Sequence, residues 1–437
     1  MKNNFLHYIH EHKLFDTKSK ILLAISGGID SVCLADLLIR SGYNVEFAHC
    51  NFKLREEESD QDEIFVSDLA NKYKIPFHHI SFDTNHYALS NKRSIQMAAR
   101  ELRYEWFEKV RREISADYIA IAHNQNDNIE TFFINLINGT GIKGLRAIQN
   151  KNNFIVRPLM FANRNQIEEY VNLRSLNFRE DSSNKSKKYQ RNKVRHELIP
   201  LLKQINPSIE NTIADEIEII KNTYSIFKEQ AERVVKEISC QTVDGIKISK
   251  KKLIKLEPIE TYLYEILNVF GFTDLKSIKK SILSNPGKQF FSKSHRLLID
   301  REFVFVEKIE DNFFKYILID ESTLILSSPL NISFKISTND QMDKIKDTAY
   351  FDYEKLVFPL VIRKWKSGDK FIPSGMKGFK KLSDFFIDNK INRFLKEKTL
   401  LLCSNDDIIW VIGLRIDERY KATSKTKKMY IANLLEK

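Results

Sequence analysis

Short apolar runs alternate with segments of helical length through the N-terminal part of the chain. Runs of strand length occupy 20–25, 44–49, 75–82, 117–122 and 154–159. Helix-length segments lie between most of these runs. Strands that alternate with helices predict an α/β fold, in which a parallel sheet is covered on both faces and binds its ligands at the carboxyl ends of the strands.

A longer helical pattern follows. Apolar residues from Ile213 to Ile238 are spaced alternately four and three apart, which is the seam of one amphipathic helix. The pattern predicts a helix over 208–239, about 48 Å long at about 1.5 Å per residue. We expect it to pack against neighbouring helices as the connector and core of a second domain. The pattern does not indicate an oligomeric state.

The C-terminal part is richer in strand patterns. Alternating stretches lie at 315–320 and 331–336, and a helical segment at 381–389 precedes a strand pair within 400–414. Together the patterns predict four regions. They are an α/β catalytic domain at 1–205, a helical substrate-binding connector at 206–310, a β-rich linker at 311–350 and a small, basic α+β domain at 351–437.

Charge adds a candidate partner. The 437 residues contain 70 Lys and Arg against 58 Asp and Glu, a net charge of +12. This indicates an anionic partner larger than a nucleotide, nucleic acid first, although a solvated lysine-rich surface gives the same balance. Segment 363–398 alone has eleven Lys or Arg, Lys380 and Lys381 among them, and four Asp or Glu. The interleaved aromatic residues either stack on bases or form the core of the small domain: Trp365, Phe371, Phe379, Phe385 and Phe386.

The cysteines and the hydropathy pattern narrow the class of protein. The four cysteines are scattered and form no C-x-x-C pair, so we expect neither a disulfide framework nor a zinc or iron–sulfur site. No stretch has the apolar length of a membrane span, and 1–12 lack the apolar core of a leader. These patterns predict a soluble cytoplasmic protein without a membrane partner.

A glycine-rich loop directly follows the first predicted strand. Adjacent glycines let the backbone approach an anion, and the next helix points its positive N-terminal end at that anion. The loop lacks the Gly-Lys-Ser/Thr of a Walker A motif. The loop therefore predicts a nucleotide phosphate site of another type than Walker A. The alternative is an ordinary strand-turn-helix corner. The residues of the loop are Ser26, Gly27, Gly28, Ile29, Asp30 and Ser31.

A second polar group follows the strand predicted at 117–122. His123 stands at the strand end, and Asp127 and Glu130 are three apart on the next helix, hence on one face. The two carboxylates could hold magnesium or bind an amine, or they could simply complement the helix dipole. The G-x-G-x-x-G at 139–144 follows a predicted helix rather than a strand, so we interpret it as a backbone turn over the active site and not as a dinucleotide site.

Several ordered segments resemble one family. The loop is similar to the PP-loop, S-G-G-x-D-S, of ATP pyrophosphatases, and the whole chain resembles the tRNA isoleucine lysidine synthetases of that group. The resemblance implies an N-terminal domain of the PP-loop, adenine nucleotide alpha hydrolase-like type. The matching segments are 26–31, 49–55, 99–107, 123–131, 139–145, 157–159, 180–184, 191–195, 199–200, 363–373 and 375–386.

The resemblance implies a reaction in two steps. ATP adenylates the C2 carbonyl oxygen of the wobble cytidine in isoleucine tRNA with a CAU anticodon, and the ε-amine of free lysine then displaces AMP. The loop would hold ATP, with Asp30 near a magnesium ion or pyrophosphate. Arg100 and His123 would complete the ATP site, and Asp127 and Glu130 would bind or deprotonate lysine. Arg191 and Arg195, four apart on one predicted helix face, would contact tRNA or the adenylate, and Lys380 and Lys381 would contact tRNA.

The chain departs from the common family pattern at three positions. The frequent A-H-H-x-D-D motif has amides at Asn124 and Asn126, and Phe178 replaces a common indole. Since Asp127 and Glu130 are present, we expect an active enzyme. The alternatives are another PP-loop tRNA-modifying enzyme, such as a thiolase, and a noncatalytic RNA-binding relative. A cluster-dependent thiolase would need grouped cysteines, and an intact Asp30 and Ser31 argue against a noncatalytic protein.

Overall fold

The computed structural model describes residues 1–54, 57–179, 190–284, 286–309, 314–338 and 347–435. They form two compact units, Met1–Glu229 and Gln230–Lys437. The family-like segment 180–184 and the last residue of segment 49–55 lie outside the described residues.

The first unit is built on a parallel sheet, as the alternating pattern predicts. Its strands lie in the order β3-β2-β1-β4-β6-β5, and all neighbours are parallel except β5 and β6. The chain leaves β1 on one side for β2 and β3 and returns on the other side with β4, so a crevice opens between the carboxyl ends of β1 and β4. The strands are β1 Lys20–Ala24, β2 Asn44–Asn51, β3 Phe77–Ser81, β4 Tyr118–Ile121, β5 Lys151–Asn152 and β6 Ile155–Val156.

Apolar side chains cover both faces of this sheet. Successive residues of a strand point to opposite faces, so Ile21 and Leu23 enter one core cluster and Leu22 enters another. All three are fully buried, which explains why the strand has a continuous apolar sequence. The helices of this unit are α1 Lys2–Glu11, α2 Ile29–Arg40, α3 Glu57–Tyr73, α4 Thr84–Ser90, α5 Ile95–Glu113, α6 Gln125–Ile137, α7 Gly141–Leu145, α8 Arg164–Leu173, α9 Gln190–Lys193 and α10 Ile199–Ile205, with a π-helical turn at Val194–Leu198.

The long helix predicted over 208–239 is confirmed as α11, Ile209–Ile238. Its fully packed positions are Ile217, Tyr224, Ala231 and Ile238, one residue in each seven, as the alternate spacing of four and three requires.

The second unit contains antiparallel sheets. Strands β7 Ser239–Thr242, β8 Gly245–Ser249, β9 Gln289–Phe291, β10 His295–Ile299 and β11 Phe303–Lys308 form one sheet in the order β7-β8-β11-β10-β9. Helices α12 Lys250–Leu253, α13 Ile259–Leu267 and α14 Leu275–Ile282 belong to the same region. The region 206–310, which the sequence predicts to be helical, therefore also contains a five-stranded sheet. Its strands have three to six residues, too few for a distinct period of two.

The C-terminal strands form further antiparallel sheets. One has the order β12-β16-β19-β20-β21, a second the order β13-β14-β22-β15, and β17 pairs with β18. The elements are β12 Tyr316–Ile319, β13 Ile325–Leu326, β14 Ile332–Ser337, β15 Thr348–Asp352, β16 Leu360–Lys364, β17 Lys370–Phe371, β18 Lys380–Lys381, α15 Leu382–Asp388, α16 Arg393–Lys398, β19 Leu400–Ser404, β20 Asp407–Val411, β21 Arg415–Ile416 and β22 Met429–Leu434. Among the helices in the described part of the chain, none has the length and hydropathy of a membrane span.

Candidate active site

The glycine-rich loop joins β1 to α2 at the crevice between β1 and β4. Gly27 has a φ of +88°, and a Cβ there would lie 3.2 Å from the Phe65 ring, so the position requires glycine. The Ser31 hydroxyl donates to the Gly28 carbonyl at 2.8 Å. Ile29 is buried in the main core, so its side chain anchors the loop and only its backbone can face a ligand.

Asp30 lies in the first turn of α2 and contacts two other segments. The Asn124 amide donates to its Oδ1 at 3.1 Å, and Arg164 Nη1 lies 3.1 Å from its Oδ2. Burial raises the pKa of the Asp30 carboxyl above its ordinary value, while the charge of Arg164 opposes that rise. Asp30 therefore joins the loop to the carboxyl end of β4.

Asn124 and Asp127 form the N-terminal cap of α6. The backbone N–H of Asp127 donates to Asn124 Oδ1 at 3.0 Å, and that of Asn124 donates to Asp127 Oδ2 at 3.1 Å. This capping box fixes the start of the helix. The side chain of Asp127 stays 17% exposed, and its Oδ1 is 3.7 Å from Arg195. Asp127 thus combines a capping role with an oxygen that other groups can approach.

Asn126 connects three helices. Its Oδ1 accepts the backbone N–H of Arg164, the first residue of α8, at 2.9 Å. Its Nδ2 donates to Glu210 Oε1 in the first turn of α11 at 2.8 Å. Both halves of the amide are used, and a carboxylate at this position would lose the donor.

Glu130 is held by two arginines. Its side chain is 1% exposed, and Arg195 Nε lies 2.5 Å from Oε1. Arg191 Nε lies 3.2 Å from Oε2, while its Nη2 donates to Thr131 Oγ1 at 2.8 Å. Burial raises the pKa of Glu130, and the bond from Arg195 opposes that rise. The two arginines predicted on one helix face therefore both contact the carboxylate predicted for lysine.

His123 lies at the end of β4 in a neutral form. Arg157 Nε donates to its Nδ1 at 3.1 Å, so the ring proton resides on Nε2. Burial lowers the pKa of His123 to about 4; the carboxylate of Asp127 opposes this decrease, and the charges of Arg157, Arg191 and Arg100 add to it. At neutral pH, His123 can therefore donate one hydrogen bond from Nε2 but carries no charge.

A pH prediction follows from this shift. The folded pKa of about 4 lies below the ordinary 6.5, so the unfolded chain binds more protons between those values. The stability that neutral His123 contributes is present above pH 6.5 and is lost as pH falls toward 4. We expect the unfolding free energy of a His123→Gln variant to depend less on pH in this window than that of the wild type. Denaturant unfolding between pH 4 and 7 measures it, and identical pH profiles would contradict the assignment.

The loop, His123 and Arg100 line one cleft of about 300 Å³, together with Arg191. Sequence reasoning assigned no role to three other groups there. His49, Arg103 and Tyr104 also line the cleft, and all three fall in segments that resemble the family. His49 is buried, and its Nδ1 donates to the Ile25 carbonyl at 2.9 Å, which leaves Nε2 as an acceptor. Segment 139–144, predicted as a backbone turn over the active site, instead begins with a turn at Gly139 and continues as α7 from Gly141, both glycines having positive φ.

The basic C-terminal segment separates its aromatic residues into two groups. Phe371, Phe385 and Phe386 are buried together with Trp365 at their edge, so they form a core. Phe379 is 56% exposed, with Lys370 and Arg419 near 5 Å from its ring. Lys380 forms an ion pair with Asp388, whereas Lys381 is exposed. Phe379 and Lys381 are thus an aromatic residue and a cation of this segment that a large anion can reach.

Three family models match the chain. A PP-loop domain model matches residues 1–202, a TilS substrate binding domain model matches 241–309, and a TilS substrate C-terminal domain model matches 360–433. The first contains the loop and the cleft. The last contains Lys380 and Lys381.

Curated relatives match over the full length. A tRNA(Ile)-lysidine synthase of Parabacteroides distasonis is 43% identical over 98% of both chains. That of Bacteroides thetaiotaomicron is 40% identical over 100% of both, and that of Porphyromonas gingivalis is 37% identical over 94% of this chain and 93% of its own.

Solved structures show more distant likenesses. The U34-tRNA thiolase NcsA of Methanococcus maripaludis aligns with a TM-score of 0.42 at 18% identity, over 50% of this chain and 80% of its own. A TilS C-terminal domain aligns with a TM-score of 0.25 at 21% identity, over 28% of this chain and 100% of its own.

Proposed function

The chain belongs to the tRNA(Ile)-lysidine synthase family, and from this premise we propose that it ligates lysine to C2 of the wobble cytidine in CAU-anticodon isoleucine tRNA. The observation that supports the proposal is the meeting, at one crevice, of a phosphate loop with the Asp127 and Glu130 cluster. The loop is suited to the phosphates of ATP, and the carboxylate cluster is suited to an amine.

The activation step consumes ATP. The C2 carbonyl oxygen of cytidine attacks the α-phosphorus, a P–O bond forms, and pyrophosphate leaves. Charge grows on pyrophosphate as it departs, so fixed donors at the loop stabilise the transition state. The loop amides, Arg100 and the Nε2–H of His123 are the donors that we assign to this task.

Magnesium is the cation that we propose for this step. It takes one or two protein carboxylates together with phosphate oxygens and water, and Asp30, within the loop, would supply one carboxylate. Within the described residues, no group of three or more His, Cys, Asp or Glu is arranged to hold a metal, so the phosphates would complete the coordination. Magnesium would neutralise phosphate charge.

In the ligation step the lysine ε-amine attacks C2, the C–N bond forms, and AMP leaves with the oxygen. The amine must arrive without its extra proton. We assign its binding and deprotonation to Asp127, whose side chain is partly exposed. Glu130 stays in this cluster as the residue that positions Arg191 and Arg195 near the adenylate, because both of its oxygens contact these arginines.

We propose four regions for these tasks, 1–205, 206–310, 311–350 and 351–437, with catalysis in the first and tRNA contact in the last. We also propose a cytoplasmic location. The thiols of Cys33, Cys50, Cys240 and Cys403 are all free in the structure, which fits a reducing compartment.

Lysine incorporation tests the function directly. Purified protein with magnesium, ATP, labelled lysine and CAU-anticodon isoleucine tRNA should transfer label to the tRNA, since the adenylate makes the C2 oxygen a leaving group. The same tRNA with its wobble cytidine replaced by uridine is the matched control and should stay unlabelled. Label absent from the first tRNA, with a sulfur donor supporting modification instead, would assign the protein to thiolation.

Lys381 should contribute to tRNA binding through phosphate charge. Changing Lys381 to Gln should reduce the slope of log affinity against log salt by about one. Changing Lys380 should do less, because Asp388 already neutralises it. Filter binding over a salt series measures both variants. Lys72→Gln, which removes an exposed lysine of α3, is the control, and an unchanged slope for Lys381→Gln would place this lysine outside the tRNA contact.

A further inference from the structure

Arg164, the first residue of α8, contacts Asp30 of the glycine-rich loop at 26–31. Its Nη1 lies 3.3 Å from Asp30 Oδ1 and 3.1 Å from Oδ2, while Nε donates to Glu168 Oε1 at 2.7 Å. The backbone N–H of Arg164 is fixed by Asn126, so the start of α8 is tied to the start of α6. The side chain remains 44% exposed. The positively charged side chain of Arg164 is therefore partly open to solvent and lies next to the carboxylate of the loop.

Attachment of α8 does not require this ion pair. At the other end of the same helix, Arg174 Nε lies 3.5 Å from Asp36 Oδ2 of α2, and Tyr170 donates to the same oxygen at 2.6 Å. Asp36 is buried, so these contacts join α8 to α2 away from solvent. The exposed pair of Arg164 with Asp30 adds little stability by comparison.

The charges around the loop change when a polyphosphate enters. Phosphate oxygens beside Asp30 would repel its carboxylate unless a cation separates them. Guanidinium groups bind phosphate through two parallel hydrogen bonds. Because Arg164 already contacts a residue of the loop, a small movement of its side chain would carry it from Asp30 to a phosphate at the loop.

We propose that Arg164 binds the pyrophosphate end of ATP, exchanging Asp30 for phosphate oxygens when the nucleotide enters and staying with pyrophosphate as it leaves. The inference rests on the ATP-cleaving half of the proposed function. It makes Arg164 a catalytic residue of the activation step and gives it no part in the attack by lysine.

Calorimetric titration of the full chain with magnesium pyrophosphate and with AMP tests the proposal. Arg164→Gln should weaken pyrophosphate binding by about tenfold to a hundredfold, the range for a lost hydrogen bond to a charged group, and leave AMP binding unchanged. Arg174→Gln, which loses the other arginine contact between α8 and α2, should match the wild type for both ligands. Wild-type pyrophosphate affinity in Arg164→Gln, or an equal loss for AMP, would overturn the proposal.

A second variant covers the case in which Arg164→Gln does not fold. Arg164→Lys keeps the charge but lacks the fork of two donors, so a severalfold loss of pyrophosphate affinity is expected, and an unchanged affinity would overturn the proposal. Neither titration needs tRNA or lysine. Failure of this inference is therefore distinct from failure of the lysine-incorporation assay.

Discussion

An Asp30→Ala variant should form AMP at least about a hundredfold more slowly than the wild type, the scale expected when a charged group that stabilises a transition state is removed. The reason is geometric. Asp30 is the only carboxylate of the loop 26–31, and it contacts both the cap of α6 and Arg164. Without the Asp30 carboxylate, the site loses its proposed magnesium ligand, and Arg164 loses its partner in the loop.

The measurement is AMP release from labelled ATP in the presence of tRNA. Filter binding should show near-normal tRNA affinity, because Asp30 lies in the first unit and the basic segment 363–398 lies in the second. Asp30→Asn is the matched variant, since it keeps the shape and loses only the charge. Full AMP formation in Asp30→Ala would remove the loop from the activation step.

A Glu130→Gln variant should lose about 1–3 kcal/mol of unfolding free energy in the first unit, the cost of weakening the hydrogen bonds of a buried side chain, because Arg191 and Arg195 keep 42% and 35% of their side chains exposed and water compensates part of their charge. Arg195 and Arg191 both approach this carboxylate, and an amide cannot neutralise them. Denaturant unfolding measures the change. Glu168→Gln removes the carboxylate of an exposed pair with Arg164 and, as the control, should cost less than about 1 kcal/mol.

A double variant separates the structural role of Glu130 from chemistry. If Glu130 mainly neutralises Arg195, then Glu130→Gln with Arg195→Met should recover part of the lost stability. Lysine transfer should stay low in the double variant, because Arg195 is assigned to the adenylate. A Glu130→Gln variant as stable as the wild type would show that the two arginines do not depend on this carboxylate.

The sequence predicts most of the first unit because its signals are local. Continuous apolar strands such as 20–25 and glycine at position 27 follow from burial on both faces and from a positive φ. The long helix follows from a regular spacing of apolar residues over seven turns. Each of these features is decided by residues close together in the chain.

The contacts of the candidate site depend instead on distant segments. Arg195 is 65 residues from Glu130, and Arg164 is 134 residues from Asp30. No spacing rule relates such positions, so the sequence alone placed Glu130 with lysine and left Arg164 without a role. The buried side chain of Ile29 was likewise hidden within a motif whose other members face the crevice.

The hydrogen bond between Asn126 and Glu210 limits how these two positions can be substituted. In this chain the amide donates to Glu210, and the aspartate that is frequent at this position would place two negative charges side by side. Changing Asn126 to Asp in this chain is therefore expected to be better tolerated once Glu210 has been replaced, although Lys203 offsets part of the charge of Glu210. The order of the two substitutions therefore matters, because Asn126 and Glu210 depend on one shared hydrogen bond.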